Sequence, residues 1–155
     1  YDDLPIFTKE KIEQLVAVHS IFTSRAILGF DSFSAEENER LPPICRPIVR
    51  VHPGSKRQTL YLASHIGRII GLPVAEGRLL IRDLIEHATQ PKYIYTHRWS
   101  SGDTLFWDNR CTMHRAMPFD EGSYRRDMRR ATVMETEIAP IEGEGDFSLD
   151  ENQPS

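Results

Sequence analysis

The chain has 155 residues, enough for one folded domain with a hydrophobic core. Its 19 Lys and Arg stand against 23 Asp and Glu, a net charge of -4, which gives no general nucleic-acid footprint. No stretch approaches the roughly 20 apolar residues of a membrane span, and no signal peptide is recognisable. Cys45 and Cys111 lie far apart with no CxxC pair. They read as reduced thiols of a cytoplasmic protein, with a disulfide as the alternative. The opening Tyr1-Asp2-Asp3-Leu4-Pro5 reads as the middle of a longer chain.

In chain order, Thr8 is placed to cap a helix reaching Phe22, with Ile12, Leu15, Val16 and His19 on one stripe. From Gly29 to Pro43 the pattern turns polar, as a surface linker or as an ordered loop long enough to cover a site. Ile48–His52 and Gln58–Ala63 predict two strands joined at Pro53-Gly54-Ser55. After Gly71-Leu72-Pro73 an amphipathic helix is expected to His87, with Leu79, Leu80, Leu84 and Ile85 inward.

Beyond Pro91 the period becomes two. Tyr93, Tyr95, His97 and Trp99 share one face of an expected strand. A turn at Ser100–Asp103 should lead to a short strand at Thr104–Trp107, followed by a bend at Asp108-Asn109-Arg110. Thr112–Met117 and Arg129–Glu135 are the last expected strands, separated by a loop at Phe119–Tyr124. Residues 1–138 read as part of a single domain and 139–155 as an acidic, flexible tail. Short strands with tight turns point to a barrel or jelly roll.

Two features offer chemistry. His114 sits in an aromatic segment studded with polar residues, and Arg125, Arg126, Arg129 and Arg130 follow within sixteen residues. Imidazole suits Fe, Ni, Cu or Zn, and the guanidinium fork suits carboxylates, sulfates and phosphates. On composition alone a hydrogen-bonded structural histidine and ordinary surface charge are the preferred reading.

The motifs Trp107-Asp108-Asn109-Arg110, His114-Arg115-Ala116 and Arg125 through Thr132 resemble the carboxyl-terminal signature of the taurine/2,4-dichlorophenoxyacetate (TauD/TfdA) dioxygenase family. Upstream, Leu60 through His65, Ile70-Gly71-Leu72-Pro73, His87-Ala88-Thr89-Gln90 and His97-Arg98-Trp99 resemble it in the same order, and Leu15 through Ser20 is similar to the phenoxyacetate branch. The resemblance implies a mainly β fold with helical insertions, a double-stranded β-helix (jelly roll) of which this chain is the C-terminal half. It implies Fe(II) as the metal and 2-oxoglutarate as cosubstrate, with hydroxylation of a small organic acid, aryloxyalkanoate- or sulfonate-like, and release of succinate and CO2.

By that resemblance His114 is the distal metal ligand. Arg126 pairs with the C5 carboxylate of 2-oxoglutarate, and Arg130 meets its near carboxylate or the substrate's acidic headgroup. Trp107 is expected in the pocket wall, and Asp108 behind the ligands or as former of the bend. The family's His-x-Asp or His-x-Glu element is absent: the residues two positions after the six histidines are Ile21, Gly54, Gly67, Thr89, Trp99 and Ala116. His19, His52, His65, His87 and His97 therefore read as structural or surface residues. This fragment alone is expected to be inactive, completed by a missing amino-terminal half or by another chain, with a homo-oligomer as the other form of association. A non-catalytic binding or assembly protein of the same fold is the alternative. A cupin-like isomerase would need His97 as a further ligand.

Overall fold

The computed structural model describes residues 1–30 and 32–133. The expected tail, residues 139–155, lies outside them. The chain forms two compact units, one spanning Tyr1–Arg115 and one beginning at Ala116.

The first unit opens with α1 (Ile6–Ile12), followed by β1 (Val16–His19) and α2 (Ile21–Ile27). One continuous helix from Thr8 to Phe22 is not what forms. Val16-Ala17-Val18 is a consecutive apolar run rich in β-branched residues, which suits a strand covered on both faces better than a helix stripe. Ala17 and Val18 are buried accordingly. Ser20 ends the strand and caps α2 by accepting a hydrogen bond from the Phe22 N–H at 3.3 Å.

Within the expected polar loop lies a second departure, the short helix α3 (Ala35–Arg40). Ser34 Oγ accepts from the Glu37 N–H at 3.1 Å while the Glu37 carboxylate accepts from the Ser34 N–H at 3.0 Å. This reciprocal capping satisfies two end donors at once.

Strands β2 (Ile44–Pro47), β3 (Val49–Val51), β4 (Gln58–Leu60) and β5 (Ile66–Ile69) follow. They form an antiparallel sheet in the order β2-β1-β5 and a separate β3-β4 hairpin. The hairpin pairs Val49 with Leu60 and Val51 with Gln58, and it turns at Pro53-Gly54-Ser55 as the sequence predicts. Ile48 joins the two sheets: its N–H donates to Leu15, its carbonyl accepts from Tyr61, and its side chain is fully buried.

Helix α4 (Val74–Ala88) packs on β5. Its buried residues are Gly77, Ile81 and Leu84, and Leu79 is 52 % exposed. Of the expected stripe, Leu84 is buried and Leu80 and Ile85 pack against the core, whereas Leu79 departs from it. Gly77 lies where the helix meets the strand: a Cβ there would stand at ordinary contact distance, 3.4 Å, from the Ile69 backbone nitrogen. Leu4, Ile12, Ala17, Ile48, Leu62, Ile66, Ile69, Ile81 and Leu84 make the core.

After a single 3-10 turn at Pro91–Tyr93, the expected turns are present around Ser101-Gly102, Asn109–Cys111 and Glu121–Ser123. The strands expected at Tyr93–Trp99, Thr104–Trp107 and Thr112–Met117 are not formed, nor is any strand at Arg129–Val133; Met134 and Glu135 lie outside the described residues. Alternation sets which side chains share a face, but a strand also needs a neighbour for its backbone ladder. Among the described residues none pairs with this stretch. No helix among them is long and apolar enough to cross a membrane.

Candidate active site around Asp108 and His114

The geometry starts from Asp108, whose backbone and side chain both fold the chain onto itself. Its carbonyl accepts from the Cys111 and Thr112 N–H groups at 3.3 and 3.1 Å and from Thr112 Oγ1 at 2.6 Å. Its Oδ1 accepts from the Arg110 N–H at 2.9 Å, closing an Asx turn. The Arg110 guanidinium grips the same carboxylate, with Nε at 2.9 Å from Oδ1 and Nη2 at 2.6 Å from Oδ2.

A third group reaches Asp108 from the hairpin. His52 Nε2 lies 3.0 Å from Oδ2. The Ser55 N–H donates to His52 Nδ1 at 3.0 Å, which makes Nδ1 the acceptor and leaves Nε2 to carry the proton donated to Asp108. The hydrogen bonds from Arg110, and then the one from His52, hold the Asp108 carboxyl far below the ordinary carboxylate range.

The bend brings Trp107 and His114 together. Their ring centroids are 4.9 Å apart at 53°, and Trp107 Nε1 donates to Asn109 Oδ1 at 2.8 Å, fixing the indole. His114 is exposed, and among the described residues no hydrogen bond occupies either of its ring nitrogens. An open imidazole beside an aromatic wall fits the donor a divalent transition metal needs. It is one donor. The described residues give it no neighbouring ligand set: the one group of three that could hold an ion is His52, Asp108 and Cys111, with donor atoms within 4.8 Å of one another. There Arg110 and His52 already occupy the carboxylate, so that cluster is a closed ion-pair network and not an open metal site.

His97 is similarly engaged. Tyr95 Oη lies 3.0 Å from its Nδ1, and its Nε2 lies 3.0 Å from Asp103 Oδ2. The Ser100 N–H and His97 pull the Asp103 carboxyl below its usual range. Both ring nitrogens of His97 are thus engaged in hydrogen bonds.

His19 faces inward at the end of β1. Burial, reinforced by His65 and Arg46, pushes its imidazole down to about 4, and its buried Nε2 has no hydrogen-bond partner among the described residues. Arg126 and Arg130 belong to the second unit, where both are exposed and the Arg126 guanidinium stands 5.6 Å from the Phe119 ring centroid. His52 reads from sequence as a structural or surface residue, without its contact to Asp108. Its partner lies 56 positions away, so no local spacing reveals the pair.

Comparison with known proteins bears on this arrangement. The family model described as taurine catabolism dioxygenase TauD, TfdA family matches residues 1–132. The chain is 46% identical over 134 residues to an alpha-ketoglutarate-dependent 2,4-dichlorophenoxyacetate dioxygenase of Burkholderia sp. (strain RASC), covering 86% of this chain and 45% of that protein. It is 38% identical over 126 residues to an (S)-phenoxypropionate/alpha-ketoglutarate-dioxygenase of Sphingobium herbicidovorans, covering 77% and 44% of the two. Among solved structures, AAD-2 in complex with Mn(II) and N-oxalylglycine is similar with a TM-score of 0.79 and 49% identity, over 88% of this chain and 54% of that one. The chain spans about half the length of these relatives.

Proposed function

The chain belongs to the TauD/TfdA dioxygenase family, and we propose that it supplies the carboxyl-terminal part of an Fe(II)/2-oxoglutarate-dependent dioxygenase built on a double-stranded β-helix. The observation that carries this reading is His114, an unengaged imidazole held against Trp107 by the Asp108 bend. In the proposal His114 is one of three protein ligands, and the His-x-Asp or His-x-Glu pair comes from a segment outside these 155 residues. Iron and 2-oxoglutarate, when bound, supply the oxidising power, with succinate and CO2 released and the substrate hydroxylated.

The chain's own residues bind and orient. Arg126 anchors the C5 carboxylate of the cosubstrate through its planar fork. Arg130 holds the near carboxylate or the acidic head of the substrate. Trp107 walls the pocket and keeps water from one side of His114. We take the substrate to be a small aryloxyalkanoate, because the two dioxygenase relatives carry phenoxyacetate and phenoxypropionate in their names. Hydroxylation beside the ether oxygen would then cleave the ether. Association with the remaining half completes the site, and a homo-oligomer is compatible with the same arrangement.

The test is succinate formation from 2-oxoglutarate by the full-length protein, with Fe(II) and a phenoxyalkanoate supplied. Iron-dependent succinate that rises with the phenoxyalkanoate is the expected result. No iron-dependent turnover with any small organic acid would leave the binding or assembly protein as the better account.

A further inference from the structure

His52 lies outside the proposed reaction, yet its side chain ties the β3-β4 hairpin to the Asp108 bend. Its two nitrogens face different partners: Nδ1 accepts from Ser55 within its own turn, and Nε2 meets Asp108 Oδ2. Its side chain is only 14% exposed, the more covered of the pair. Asp108 in turn fixes the positions of Arg110, Cys111 and Thr112, and the reversal it creates sets the Trp107 ring against the His114 ring. A rigid hairpin thus braces a bend in a stretch that has no strand partner of its own among the described residues.

We propose that His52 is a positioning residue for the metal-binding imidazole: through Asp108 it sets the orientation of His114, and it touches neither metal nor substrate. The inference rests on the reading of His114 as a metal ligand. Residues that orient ligands from behind typically change metal affinity by roughly 10–100-fold when lost.

The two nitrogens allow the roles to be separated. In His52→Asn the amide oxygen replaces Nδ1 and keeps the Ser55 turn, but the side chain is too short to reach Asp108. In His52→Gln the amide nitrogen replaces Nε2 and keeps the Asp108 contact. Mn(II) affinity of the full-length protein, followed by the electron paramagnetic resonance of free Mn(II), reads the difference, with far-UV circular dichroism as the check of folding.

His52→Asn is expected to lose roughly 10–100-fold in Mn(II) affinity and His52→Gln to stay near the unaltered protein. Asp108→Asn should lose a similar factor, and the double variant His52→Asn/Asp108→Asn no more than either alone, as for two members of one unit. Equal losses in the Asn and Gln variants, or no loss in either, would overturn the proposal. If His52→Asn does not fold, an unaltered affinity in Asp108→Asn overturns it equally. His114→Ala separates the two levels: unchanged Mn(II) affinity there defeats the dioxygenase reading itself, whereas loss there with none in His52→Asn defeats only the role of His52.

Discussion

Asp108 is the residue on which most of the local geometry turns. Its carboxylate serves two cationic or polar partners and an Asx turn at once, while remaining about a third exposed. Replacing it by Asn removes the charge that Arg110 and His52 share. The expected destabilisation is about 1–2 kcal/mol, moderated by solvent, and urea unfolding measures it. His19 gives the clearest pH dependence. Its ordinary value of 6.5 falls to about 4 in the folded protein, so the unfolded chain binds more protons across that window. Stability from this group is full above 6.5, falls as the pH drops toward about 4, and falls no further below it. The loss is at most about 3 kcal/mol, less for the partial exposure of the ring. His19→Leu should flatten the curve between pH 6.5 and 4 in unfolding titrations, and an unchanged slope would show that another group carries it. Among the arginines, Arg126→Ala should weaken 2-oxoglutarate binding by about 10–100-fold, the value of a charge-assisted pair, as read by calorimetry. These single side chains were only partly legible beforehand. The motif residues stood out by resemblance, whereas the contact of His52 depends on a partner 56 positions away that only folding brings near.

At the scale of elements, the hairpin and α4 followed from composition because each is a local arrangement. Turn residues at Pro53-Gly54-Ser55 and the helical spacing after Pro73 act over a few positions. The departures have different causes. Val16–Val18 was consistent with a helix stripe until β2 and β5 supplied ladders on both sides. On α4, Leu79 falls outside the face that buries Gly77, Ile81 and Leu84. At Ser34 the S-x-x-E sequence forms the reciprocal cap that starts α3, within a stretch whose polar composition reads as a loop. Leu84 is 2% exposed at the α4 contact, and Leu84→Ala should cost about 2–5 kcal/mol by denaturant unfolding, well above the effect of the same change at exposed Leu79. Comparable losses at the two positions would contradict the exposed position of Leu79.

For the whole molecule, the surface that the described residues leave uncovered bears on what is proposed to complete it. Phe106 is 91% exposed, Val133 96% and Tyr95 75%, all in the stretch whose alternating pattern predicts strands and which finds no ladder among the described residues. Apolar side chains at strand spacing are the mark of a sheet face awaiting a partner. That pattern was legible in the sequence, and in the proposal its partner comes from a segment outside these 155 residues; the chain spans about half the length of these relatives. The most direct test of the account is anaerobic Fe(II) retention by the full-length protein in the presence of 2-oxoglutarate, with and without His114. The account predicts one tightly held Fe(II) per polypeptide and its loss in His114→Ala. Equal retention by both proteins would contradict it.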